Sequence, residues 1–354
     1  ARPLASPRDR GGPPPLASLG PAATTEVIAV ADGAALGFGA GLWLAASLRV
    51  CTEATVVALP ECRAMALCPA GCALGALERT VPTHLAHWIA LTGYPLTSRD
   101  CLDLGLATHF VSRRDERLDT LLDELRRAPE HALGVPLASR SADLSDPPAH
   151  LASALTTPAV DAALRRVFFG DDDDDNVVPE TVAAVVARVE AERAKAAASV
   201  GSCAWRTREM AEPVLEVLDH GLEAFKAASP VALETTYRVQ RALRRRAASD
   251  TETTTTTTPP SVMAVDQLAA RLATEVNAKL VASPDFVEAV ARDAAARAPR
   301  RGSAAAAAAS VAAAPRSHKN RTPQPWVLPT LDDDAVPAFA ASLVADACEA
   351  VGVV

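Results

Sequence analysis

An apolar run at Val27 to Val30 ends at Asp32-Gly33, and Gly37, Gly39 and Gly41 then open an apolar helix through Trp43 to Leu48. This order of strand, glycine turn and helix constrains the chain more than any other feature, because it marks a βα unit built around a buried strand. Arg49 to Leu59 reads as a second strand, ended by Pro60-Glu61 before a Gly-, Ala- and Cys-rich segment that reaches Leu77. Another βα unit is implied. Thr83 to Thr92 reads as a short helix, Ser98 as the cap of the next one through Leu104, and Ala107 to Val111 as a strand.

From Leu118 onward the pattern is helical: Leu118 to Ala128, Ala159 to Phe169, Val178 to Ala198, Thr207 to Ala228, Val231 to Ala247, Val262 to Val281 and Phe286 to Ala298. Composition agrees, since 49% hydrophobic residues suffice for a core while 4% aromatics amid abundant Ala favour helices packed through small side chains. The plan is an N-terminal arm over 1–24, an α/β core over 25–115, a helical region over 116–302, and a basic, Ala-rich insert with a C-terminal tail over 303–354. Asp171 to Asp175, Thr253 to Thr258 and Ala304 to Ala309 are low-complexity inserts that read as solvated loops. Adjacent carboxylates in such a loop repel one another and lack the fixed geometry of a metal site.

The formal charge of −8 argues against a protein coated over its whole surface in nucleic acid. Between Arg292 and Arg321, however, seven Lys or Arg face one acid, a local +6 that leaves −14 elsewhere. Arg297, Arg300, Arg301, Arg316, Lys319 and Arg321 therefore read either as a basic arm that touches RNA phosphates or as a solvated loop. Arg238, Arg241 and Arg245 form a second basic stripe at helical spacing, a partner surface or a solvated face. Seven scattered Cys read as reduced thiols. Cys62, Cys68 and Cys72 with His84 and His87 do not have the spacing of a zinc knuckle, so no metal is expected. His109 reads as a core or turn histidine, and the turn at Gly37 lacks the order of a nucleotide-binding loop. No window approaches the roughly 20 apolar residues of a membrane span, which implies a soluble protein without a membrane partner.

The order and spacing of VIAVADGAALGFGAGL at Val27 to Leu42, RVCTEATVVALPE at Arg49 to Glu61, WIALTGYPL at Trp88 to Leu96 and DCLDLGLATHFV at Asp100 to Val111 resemble the crotonase superfamily, and within it the 3-hydroxyisobutyryl-CoA hydrolases. Weaker likeness continues through Val177, Phe225, Ser283 to Asp293 and Pro323. The resemblance implies an α/β fold: a truncated crotonase-like spiral of βαβ units followed by a helical C-terminal region. It also implies a site in which a CoA thioester lies between two backbone N–H groups.

Carried over residue by residue, that site is depleted. Nothing ahead of the Val27 strand resembles the segment that supplies the first N–H donor. The second donor falls on Phe38 within Gly37-Phe38-Gly39, where a Cβ and a ring stand in place of glycine. The family's first carboxylate is matched by Glu61, but the second aligns with Ala70, and the Glu of the hydratase branch aligns with Gly41. The supporting Tyr-Arg pair is Val276-Asn277, and a His following Asp-Phe is Val287. Loss of one N–H donor typically costs ~10²–10³ in turnover, and a missing acid or base a further ~10²–10⁴. Gly37, Phe38 and Gly39 are therefore read as a vestigial oxyanion turn and Glu61 as a vestigial catalytic residue.

The expectation is a pseudoenzyme without a cofactor. Hydrolase-like members of this family occur in the mitochondrial small ribosomal subunit of some eukaryotes, so the resemblance implies a structural ribosomal component in the mitochondrial matrix, contacting ribosomal proteins and peripheral rRNA. Two alternatives stand beside it: an active 3-hydroxyisobutyryl-CoA hydrolase that takes its missing donor from another chain, and an acyl-CoA-binding regulator.

Overall fold

The apolar run at the start of the α/β region becomes strand β1 (Ile28–Ala31), and the computed structural model shows why it must be short. Residues described are 27–113, 118–120, 122–123, 151, 153–170, 178–200, 205–253, 262–297 and 335–351, with backbone alone at 205–207, 247–253, 262–265 and 294–297. At Asp32-Gly33 the chain turns a corner and continues as β2 (Ala34–Leu36), a strand the sequence pattern did not reveal. The expected single strand over Arg49 to Leu59 makes the same corner: it is two strands, β3 (Leu48–Cys51) and β4 (Val56–Ala58). β3 lies between β1 and β6 (His109–Phe110), parallel to both, while β4 lies between β2, parallel, and β5 (Leu96–Thr97), antiparallel. Side chains of the second corner tie it to the first: Thr52 Oγ1 donates to Asp32 Oδ1 at 2.8 Å, and Thr55 Oγ1 donates to the Ala31 carbonyl.

Helix α1 (Phe38–Leu44) starts at Gly37, α2 (Glu61–Ala64) follows Pro60, and α3 (Ala73–Thr80) leads to α4 (Thr83–Thr92). All ten residues of α4 are buried, the mark of a helix enclosed on every side. The next helix, α5 (Ser98–Asp103), is capped by Thr97 rather than by Ser98: Asp100 completes a capping box with Thr97. Asp100 also accepts from Ser153 Oγ at 2.8 Å.

The helical half comprises α6 (Pro158–Phe169), α7 (Val182–Val200), α8 (Trp205–Ala227), α9 (Pro230–Thr253), α10 (Val262–Leu280) and α11 (Pro284–Arg297), close to the expected spans. Of the expected Leu118 to Ala128 helix, only 118–120 and 122–123 are described, and they are helical. The expected tail is corrected in part, because Ala335–Ala350 is a helix, α12, with Val336, Ala340, Leu343, Val344 and Ala347 buried where it packs on α9 and α10. Its alternation is masked by a nearly uniform apolar composition, so helical periodicity does not stand out. One continuous hydrophobic cluster runs from Ala31 to Ala347, so the α/β and helical regions share a core. Among the described residues, no helix is long and apolar enough to cross a membrane. The three low-complexity inserts lie outside the described residues, apart from Thr253 at the end of α9.

In the basic stripe of α9, Arg238 pairs one turn back with Glu234 at 2.9 Å, and Arg241 donates to the Glu180 carbonyl at 3.1 Å, so Arg241 braces the chain entering α7. Glu234 meanwhile accepts the Val182 N–H at 2.7 Å, at the start of that helix.

Candidate functional site

The glycine turn sits where β2 feeds α1. Gly37 adopts φ +54, a left-handed conformation that favours glycine, and its N–H donates to the Ala58 carbonyl at 2.9 Å. Phe38 is the first helical residue, so its N–H belongs to the first turn and has no intrahelical acceptor. The Phe38 ring is 58% exposed and lies beside Gly71, where an added Cβ would stand 3.5 Å from the ring. Phe38 therefore packs against the segment joining α2 to α3.

Glu61 opens α2 with its side chain facing the turn: a Cβ on Gly37 would lie 3.1 Å from Glu61 Oε1. Oε1 accepts a long hydrogen bond, 3.4 Å, from the Ala70 N–H. Oε2 is buried and has no hydrogen-bond partner among the described residues. Burial pushes the carboxyl above the ordinary range, opposed in part by backbone N–H groups including that of Ala70. Glu61 is therefore a buried acid of raised proton affinity, half satisfied.

Ala70 stands where the second acid was expected, and its methyl group offers no proton. Its carbonyl instead approaches α1 so closely that a Cβ on Gly41 would come within 2.8 Å of it, so the hydratase-type Glu has no room there. The segment is fixed from the helical half. Cys68 N–H donates to Asn277 Oδ1 at 2.9 Å, and Asn277 Nδ2 donates back to the Cys68 carbonyl at 2.9 Å. Reading Val276-Asn277 as a simple loss of polar groups missed this clamp. Val276 is fully buried in the core, while Val287 is 63% exposed on α11. Ser229 N–H holds the Cys62 carbonyl at 3.1 Å, and Cys62 Sγ meets Thr236 Oγ1 at 3.2 Å, so α9 braces the helix that carries Glu61.

The other candidates do not gather here. His84 Nε2 meets Asp161 Oδ1 at 2.7 Å, His109 Nδ1 meets Thr108 Oγ1 at 2.8 Å, and burial raises the Cys62 and Cys68 thiols, leaving them poor nucleophiles. No three His, Cys, Asp or Glu side chains converge as a metal site among the described residues. Arg297 ends α11 with only its backbone described, and Arg300, Arg301, Arg316, Lys319 and Arg321 lie outside the described residues.

Residues 21–294 match the family model described as enoyl-CoA hydratase/isomerase. The chain belongs to this family. Its fold also matches the crystal structure of an enoyl-CoA hydratase from Rhodobacter sphaeroides, with a TM-score of 0.54 at 21% identity over 91% of this chain and 68% of that one. Among curated relatives, the mitochondrial 3-hydroxyisobutyryl-CoA hydrolase of Gallus gallus is 42% identical over 84 residues, covering 24% of this chain and 21% of that protein. Small ribosomal subunit protein mS47 of Arabidopsis thaliana is 35% identical over 102 residues, covering 27% of this chain and 24% of that protein. The chain thus spans under a quarter of the length of either relative.

Proposed function

We propose that the chain is a non-catalytic, structural member of the enoyl-CoA hydratase/isomerase family, built into the small subunit of a mitochondrial ribosome in the matrix and held there by contacts with ribosomal proteins and peripheral rRNA. The observation that carries this reading is the loop at Ala70, where the residue aligned with the second acid is a methyl group in a segment clamped by Asn277 and packed against Gly41. A methyl group at this position has no proton to give or take. The Phe38 ring packs against Gly71 of the same segment. The relative named as a small ribosomal subunit protein gives the reading a precedent within the family.

Sedimentation of the tagged full chain from mitochondrial extract is the test. Co-migration with the small subunit at moderate salt is expected, and migration only as a free monomer or small oligomer refutes the proposal.

One observation favours a second reading, a residual thioester hydrolase: Glu61 keeps a buried, unpartnered oxygen and a raised proton affinity beside the glycine turn at Gly37. Assay of thioester cleavage with 3-hydroxyisobutyryl-CoA separates the two. Turnover that disappears in Glu61→Gln establishes the enzyme and ends the structural reading of this site.

A further inference from the structure

Glu78 in α3, His87 in α4 and Gln240 in α9 meet inside the core. The Glu78 side chain is 5% exposed and the His87 side chain 1%, while Gln240 is fully buried. Gln240 Nε2 spends its two hydrogens on Glu78 Oε1 and the Ala86 carbonyl, both at 3.1 Å. His87 Nδ1 stops 3.7 Å from Glu78 Oε1, beyond hydrogen-bond range. Glu78 Oε2, His87 Nδ1 and Gln240 Oε1 are thus all buried without a hydrogen-bond partner among the described residues. Around them the walls are apolar: the His87 ring is edge-on to Phe168 and Tyr237, with centroids 5.4 and 5.1 Å away.

Nine buried side-chain atoms lack a hydrogen-bond partner among the described residues, and three of the nine belong to this one cluster, where a single small occupant would serve them together. We infer that Glu78, His87 and Gln240 enclose a binding site for buried water, which bridges α3, α4 and α9. The occupant must serve an amide oxygen, which only accepts, and an imidazole nitrogen and carboxyl oxygen, each of which accepts or donates according to its proton. Water supplies two donors and two acceptors in the smallest volume. A metal cation fits poorly, because the cluster holds a single carboxyl group and Arg241 and Arg244 act on it with positive charge. Burial keeps Glu78 protonated up to about 8 and His87 neutral down to about 3, so at neutral pH the site is uncharged and suits a neutral guest.

The test uses the full chain labelled with ¹⁵N and ¹³C at Gln and His. Cross-relaxation between the water resonance and both the Gln240 side-chain amide and the His87 ring protons is expected, with the sign of a long-lived complex. In Glu78→Leu these cross-peaks vanish, and magnetic relaxation dispersion counts at least one fewer long-lived water. Absence of the cross-peaks in the unaltered protein overturns the inference, as does an unchanged water count in a folded Glu78→Leu. Should that variant not fold, the measurement on the unaltered protein decides alone.

Discussion

Glu78→Gln removes one titrating group from the core while keeping its shape, and the structure fixes the pH profile that should change. Burial lifts the Glu78 carboxyl from 4.5 to about 8, with Arg244 and Gln240 drawing it back only in part. The unfolded chain loses that proton near 4.5 and the folded one keeps it to about 8, so across this window stability falls as pH rises, by ~1.4 kcal/mol per unit. His87 runs the other way. Burial, then Arg244, Arg241 and His84, lower it from 6.5 to about 3, so stability falls as pH drops from 6.5 toward 3. The two slopes cancel between 4.5 and 6.5, and from 6.5 to 8 these two groups cost the protein roughly 2 kcal/mol. In Glu78→Gln only the His87 arm remains, so this contribution is flat above 6.5 and the variant gains on the parent by about 3 kcal/mol between pH 4.5 and 7. A water at the site solvates the carboxylate and shrinks the figure without reversing it. Urea midpoints at about pH 5.5, 7 and 8.5 measure the difference, given an unchanged slope with denaturant. Parallel curves for parent and variant across that range would refute the reasoning.

Further outcomes follow from single contacts. Gly221→Ala places a Cβ 2.1 Å from Trp88 Cη2 where α8 crosses α4, an overlap that neither packed helix relieves cheaply; a loss of about 3 kcal/mol in chemical denaturation, with a changed near-UV Trp signal, is expected. Asn277→Ala removes both bonds to Cys68 and costs about 1–3 kcal/mol, and Asn277→Asp, which keeps only the acceptor, recovers part of it in thermal melts. Glu234→Ala leaves the Val182 N–H without its acceptor and costs about 1–2 kcal/mol, read as earlier hydrogen exchange in the first turn of α7. Under the structural reading, Glu61→Gln leaves co-migration with the small subunit unchanged.

The βα units and most long helices were legible in the sequence, because glycine turns and helical periodicity are local signals. Short strands were harder. β2 has three residues, two of them exposed, and no alternation to read. The split between β3 and β4 was hidden because a β-rich run looks the same whether or not it turns a corner at Thr52 to Thr55. At the site, Glu61 and the glycine turn were readable from spacing, whereas Asn277 was not: its partner is backbone 209 residues away, and main-chain atoms carry no sequence signature. The Glu78, His87 and Gln240 cluster escaped for a related reason, since a Glu near a helix end and a Gln on a long helix look like solvent-facing residues until three helices are brought together.

Helix α12 docks on α9 and α10 with five of its side chains buried, and Lys279 reaches across to Asp346 at 2.7 Å. Residues near 340 are therefore as much a part of the interior as those near 40. During synthesis, α9 and α10 emerge before α12, so the flank that α12 covers stays open until its residues have also left the translating machinery. Docking of α12 is thus a late event in the completion of the core, later than the emergence of both helices that receive it.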